Sequence, residues 1–138
     1  MIYLPDTNVF SRYLRNRRED APLCERLELE LTQCRLSAIV LMELEYGVAK
    51  SPAIPQLRTR VESLCGLFNV DAFDVRAAVE AGGIRAFLAN LKPNAQPIGP
   101  YDVLLAGHAR ALGAIFITHN IREFSRVPGL QVEDWQTA

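Results

Sequence analysis

Apolar and polar positions alternate along this chain in short blocks of two kinds. Ile2-Tyr3-Leu4 and Ala114-Ile115-Phe116-Ile117 are continuous apolar runs, the signature of a strand buried on both faces. Leu67-Phe68-Asn69-Val70 and Leu130-Gln131-Val132 read as further strands, the last at an edge. Between them, apolar residues recur at helical spacing. Val9, Phe10, Tyr13 and Leu14 predict a short helix, and Leu23, Leu27 and Leu31 an amphipathic one from about Pro22. Ser37 is a good N-cap for a helix carrying Ile39, Val40, Leu41, Leu44 and Val48, closed by Ser51-Pro52. Leu57, Val61, Leu64 and Cys65 form another face, ended by Gly66, and Asp71 to Leu91 is a long Ala-rich helix that tolerates Gly82 and Gly83. Arg15 to Asp20 reads as a charged loop and Lys92 to Gly99 as a Pro-rich one. Pro100 suits the first turn of a helix running to Leu112, with Gly113 as its stop. Pro5 is expected to end the first strand, and Asn120 to open a short helix. Short apolar strands alternating with helices predict an α/β fold: three layers, α/β/α, around a mainly parallel sheet.

In such a sheet, ligands bind beyond the carboxyl ends of the strands. Asp6 follows the first strand and Thr118-His119-Asn120 follows Ile115-Phe116-Ile117, so the two polar clusters converge if those strands are neighbours. Glu43 interrupts an apolar helix face and Asp102 lies in the first turn after Pro100. Three grouped carboxylates need compensation, because two unit charges about 4 Å apart repel by roughly 4 kcal/mol at an effective dielectric of 20. A hard divalent cation removes that penalty, and an all-oxygen site suits Mg²⁺ or Mn²⁺. Metal-assisted phosphodiester hydrolysis is the matching reaction class. Structural readings stand beside each residue. Asp6-Thr7-Asn8 also suits a turn and N-cap, Asp102 favours the helix dipole, and Asn120 with Glu123 spells a capping box. Glu45 reads as solvated, His108 as structural and His119 as a surface residue.

The 138 residues suit one domain spanning 1–138, and no apolar run approaches the roughly 18 residues of a membrane span. The N-terminus has no basic segment followed by an apolar stretch, so no signal peptide is expected. Cys24, Cys34 and Cys65 form neither a disulfide framework nor a CxxC site, which fits reduced thiols in a cytosolic protein. The net charge of −1 confines any nucleic-acid contact to a local patch, and Arg12, Arg15, Arg17 and Arg18 are the densest positive cluster.

The ordered segments Tyr3-Leu4-Pro5-Asp6-Thr7-Asn8, Leu41-Met42-Glu43-Leu44-Glu45-Tyr46-Gly47, Pro97-Ile98-Gly99-Pro100-Tyr101-Asp102, Gly107-His108-Ala109-Arg110, Ile117-Thr118-His119-Asn120-Ile121-Arg122-Glu123-Phe124 and Glu133-Asp134-Trp135 resemble the PIN-domain toxins of VapBC toxin–antitoxin modules. The resemblance covers essentially the whole chain. It implies a Mg²⁺-dependent endoribonuclease, a homodimer and a cognate VapB-type antitoxin whose tail blocks the acidic cleft. The family's metal ligands map onto Asp6, Glu43 and Asp102. Asn120 stands where many PIN domains carry a fourth acid, as a weaker or water-mediated metal contact. Thr7, Asn8 and Thr118 would lie just behind the ligands. The Glu43-Leu44-Glu45-Tyr46-Gly47 and Ile98-Gly99-Pro100-Tyr101-Asp102 segments are similar to toxins that cut tRNA, including the anticodon loop of initiator tRNA, and the arginine cluster is the expected RNA rim. A phosphotransfer receiver domain would need a paired acid after the first strand and a late lysine. A haloacid-dehalogenase-type phosphatase would need an Asp where Asn8 stands. Two alternatives survive: a DNA-directed nuclease of the wider PIN and flap-nuclease group, and a catalytically inactive PIN-like module that binds RNA or an antitoxin without cleavage.

Overall fold

A computed structural model describes residues 1–91 and 98–136. Among these residues, five short strands run parallel. β1 (Tyr3–Pro5) pairs with β4 (Ile115–Ile117), which pairs with β5 (Gln131–Glu133), while β2 (Arg35–Ser37) pairs with β3 (Asn69–Asp71). A single parallel bridge, Tyr3 to Cys34, joins the two groups, giving the spatial order β3-β2-β1-β4-β5. β1 and β4 are buried at every position, as expected for strands covered by helices on both faces.

β2 was not foreseen. It is only three residues long, follows polar Thr32-Gln33 and begins with Arg35, so no apolar run marks it. Arg35 pays for its place by pairing with Asp71 of β3 at 3.0 Å. Pro5 does not end β1 but belongs to it. The ladder to β4 uses Ile2 and Asp6, which bracket the strand, so the missing Pro5 N–H lies on the β2 side, where pairing stops at Tyr3.

Helix α1 (Thr7–Arg15) reaches into the expected charged loop, because Asn16 tolerates the left-handed conformation (φ 50°) that ends it. A 3₁₀ turn follows at Arg18–Asp20. α2 (Ala21–Leu29) stops before Leu31, which opens a second 3₁₀ turn. α3 (Ala38–Lys50) starts from the predicted Ser37 cap, whose hydroxyl accepts from Ile39 N–H. α4 (Pro55–Leu67) runs through Gly66, so β3 begins at Asn69 and not at Leu67. α5 (Val75–Ala89) is shorter than expected, since Asp74 caps it by accepting from Ala77 N–H. α6 (Pro100–Leu112) ends at Gly113 (φ 66°) as foreseen. The expected loop from Lys92 lies outside the described residues as far as Pro97.

The core is one apolar cluster built around Leu4, Phe10, Leu36, Leu105, Phe116 and Phe124. Phe10 meets Phe68 and Phe116 meets Phe124 edge-on, at 5.2 and 4.8 Å between ring centres. All three cysteines are free, and burial pushes the Cys34 thiol up to about 12, which leaves it inert. Among the described residues, no helix is long and apolar enough to cross a membrane.

Candidate active site

Because β1 and β4 are neighbours, with Pro5 opposite Ile117, Asp6 and Thr118 emerge side by side at the carboxyl end of the sheet. Asp6 is 5 % exposed, and its Oδ1 caps α1 by accepting from Val9 N–H at 2.9 Å. The cap reading of Asp6 is therefore correct, and the cap leaves the residue at the carboxyl end of the sheet. Thr118 is buried. Its Oγ1 accepts from Asn120 N–H at 3.1 Å, which leaves its hydroxyl proton for Asp6, with which it also bonds. Asn8 touches Asp6 through its backbone, not its side chain. Burial raises the Asp6 carboxyl above the ordinary range against the opposing pull of the Val9, Thr118 and Asn8 bonds.

Glu43 comes from α3, which starts at the end of β2. Its Oε1 accepts from the Thr7 hydroxyl at 2.9 Å, so a residue of α1 aims the α3 carboxylate. Asp102 sits in the first turn of α6. Its carboxyl is pushed up to about 6, first by burial and then by the negative charges of Asp6, Glu43 and Glu123. The three predicted acids thus share one electrostatic site, and a fourth, Glu123 of the single-turn helix α7 (Ile121–Phe124), joins them.

Glu123 corrects the sequence reading. The Asn120 side chain makes no capping bond, so the capping box does not form, and Asn120 is exposed. The signal for Glu123 was present in its position, one helical turn after a strand-end Asn, but that spacing also spells a cap. Glu45 pairs with Arg58 at 2.6 Å, away from the acids. His119 pairs with Asp134 at 3.0 Å. Of the arginine cluster, Arg12 is engaged by buried Asp20 at 3.0 Å, whereas Arg15, Arg17 and Arg18 are exposed.

The donors are all carboxylate or hydroxyl oxygens, a set that fits a hard divalent cation. Their mutual repulsion, expressed on Asp102, is what such a cation would relieve. Among the described residues, no three His, Cys, Asp or Glu side chains are closed into a ready coordination shell. One Glu43 oxygen is turned to Thr7 and one Asp6 oxygen to Val9, so each acid keeps one oxygen uncommitted to those bonds.

Beside the acids lies a cavity of about 750 Å³ that shares Thr7 and Glu43 with them and continues over Met42, Tyr46, Arg60 and Tyr101.

Residues 3–130 match the PIN domain family. The tRNA(fMet)-specific endonuclease VapC of Salmonella typhimurium is 39% identical over 133 residues, covering 96% of this chain and 97% of that protein. A solved structure of DNA-bound VapBC from Salmonella typhimurium superposes with a TM-score of 0.85 at 38% identity, covering 98% of both chains. VapBC2 from Rickettsia felis, bound to a fragment of its promoter DNA, also gives 0.85, at 32% identity over 98% of this chain and 99% of that one. The chain belongs to the PIN-domain family, in its VapC ribonuclease branch.

Proposed function

We infer that this protein is the toxin of a VapBC-type toxin–antitoxin module: a cytosolic, Mg²⁺-dependent endoribonuclease in which one PIN domain spans residues 1–138. Its substrate is tRNA, with the anticodon loop of initiator tRNA as the leading candidate, a choice supported by the 39% identity to the tRNA(fMet)-specific relative. The observation that carries the reading is the convergence of Asp6, Glu43, Asp102 and Glu123 on one electrostatic site at the carboxyl end of the sheet. Asp6, Glu43 and Asp102 would hold the cation, and Glu123 adds its negative charge to the surroundings of Asp102. Bound there, a divalent cation would supply Lewis-acid polarisation of a phosphodiester and a lowered pKa for water. The chain's own contribution is orientation. Thr7 fixes Glu43, Thr118 and the Val9 amide fix Asp6, and the buried setting keeps charge interactions strong. Asn120, exposed beside Thr118, contributes through water. The partners are a VapB-type antitoxin, as in the VapBC complexes this fold resembles, and a second copy of the chain.

The test is cleavage of purified total tRNA with Mg²⁺ by wild type, by Asp102→Asn and by wild type in EDTA. Cuts at discrete sites, present only in wild type with metal, are the expected result. Cutting that persists in Asp102→Asn sinks the acid-site assignment. No cutting of any RNA by folded, antitoxin-free wild type leaves the binding-only PIN module as the reading.

A further inference from the structure

We propose that the cavity beside Glu43 is a base-binding pocket: it takes one unpaired nucleobase of the RNA, next to the phosphate that lies at the acids. The inference rests on the ribonuclease reading and adds to it the residues that read the substrate.

Four observations carry it. First, the cavity is of small-ligand size and mostly apolar, with Leu57 and Met42 among its walls, as a flat heteroaromatic ring requires. Second, two tyrosines stand in its lining although each is half or more exposed, Tyr46 at 64 % and Tyr101 at 50 %. Neither phenol has a hydrogen-bond partner among the described residues, so neither ring is held there by its polar end. Exposed aromatic faces are the usual platform for single-stranded bases, which stack on them with little regard to sequence.

Third, Arg15 and Arg60 line the same cavity, and neither has an acidic partner among the described residues. The Lys50 ammonium lies 5.2 Å from the Tyr46 ring centre and adds charge at that wall. In a chain of net charge −1, unpaired arginines gathered at an aromatic cavity match a phosphate backbone. Fourth, the cavity shares Thr7 and Glu43 with the acidic site. A base seated between the tyrosines therefore leaves its own sugar–phosphate at the carboxylates. Tyr101 is also the residue before Asp102, so one turn of α6 supplies both the stacking face and an acid. A paired base cannot enter such a pocket, which gives the enzyme a reason to select loops over helical stems.

The test measures binding of a fluorescent single-stranded RNA, and of a blunt RNA duplex, to the Asp102→Asn protein in Mg²⁺. Added to that background are Tyr46→Ala, Tyr101→Ala, their Phe counterparts, Arg15→Ala and Arg60→Ala. Each Tyr→Ala change should weaken single-strand binding about tenfold, the Phe variants should bind like the parent, and the duplex should be indifferent to all four. Each Arg→Ala change should lower the slope of log affinity against log salt by about 0.7, the value for one phosphate of a single strand. Unchanged binding by both Tyr→Ala variants overturns the proposal, as does a loss in the Phe variants equal to that in Ala. Wild-type protein separates the two levels of inference. No metal-dependent cutting removes the ribonuclease reading itself, whereas cutting with the same KM in wild type and in Tyr46→Ala and Tyr101→Ala, made with Asp102 intact, removes only the pocket.

Discussion

Two threonines aim two of the acids. Thr7 gives its hydroxyl proton to Glu43 and Thr118 gives its own to Asp6. A carboxylate on a half-buried helix has several rotamers to choose from, and one directed hydrogen bond to a charged acceptor is worth about 1.5–3 kcal/mol in choosing among them. Outer partners of metal ligands commonly change affinity or activity about 10- to 100-fold. Thr7→Val, which keeps the shape and removes the proton, should lower the cleavage rate within that range. Its thermal midpoint should stay close to that of wild type, and a matched pair of rate and melting measurements checks both statements. Asp6 and Asp102 also had local uses, as a cap and as a helix-dipole partner, and were drawn in by the resemblance of their segments, whereas Glu43 stood out as an acid in an apolar stretch that does not call for one. Glu123 was hidden for the opposite reason, since Asn120-x-x-Glu123 has an ordinary local use and only the three-dimensional approach to Asp102 reveals another.

Helices α5 and α6 meet at Gly107, where an added Cβ would lie 2.6 Å from the Ala81 backbone N and Cα. No side-chain rotation relieves that clash, so Gly107→Ala should destabilise the fold by about 3 kcal/mol, the upper end for overpacking. Gly82 in α5 has nothing within 4 Å of the same position, and Gly82→Ala should stabilise by about 1 kcal/mol through helix propensity alone. Denaturant melts of the two variants should move in opposite directions. A second joint is polar. His108 of α6 is buried, its Nδ1 lies 2.9 Å from the Ser37 hydroxyl, and Ser37 caps the helix that carries Glu43. The Ser37 hydroxyl can donate to Nδ1 or accept from it while also accepting from Ile39, so the contact serves either tautomer of the ring. Burial lowers the His108 pKa below its ordinary value near 6.5, against the raising influence of Asp71, Asp74 and the Ala72 backbone. A histidine held neutral contributes its stability in full above about 6.5 and loses it as pH falls through the folded value. From pH 7 towards 5, wild type should lose thermal stability relative to His108→Gln, a difference that separates the histidine from the raised carboxyls of Asp6 and Asp102, whose protonation favours the fold in the same window. The sequence marked the helices well through periodicity, and it marked β1 and β4 through unbroken apolarity. β2 escaped because three residues opening on an arginine carry neither signal, and its identity depends on a partner, β3, more than thirty residues away.

The whole molecule is nearly neutral at −1 yet gathers four carboxylates at one edge of its sheet. Metal-free protein therefore bears a local repulsion that a bound cation removes. Mg²⁺ should raise the melting temperature of wild type, with about 2.7 kcal/mol of linked stability at a hundred times the dissociation constant. Asp102→Asn should melt higher than wild type in EDTA and respond weakly to Mg²⁺, and differential scanning calorimetry reads both. A wild-type melting point indifferent to Mg²⁺ would remove the cation from this edge.

The single bridge between Tyr3 and Cys34 divides the hydrogen-bonded ladder into blocks of three strands and two. Asp6 follows β1, and Asp102 and Glu123 flank β4, so three acids travel with the larger block. Glu43 follows β2 and travels with the smaller one. A fluctuation that parts the blocks along this seam would disarm the nuclease while most of the chain stays folded, and the Ser37–His108 and Thr7–Glu43 bonds are polar clasps that resist it.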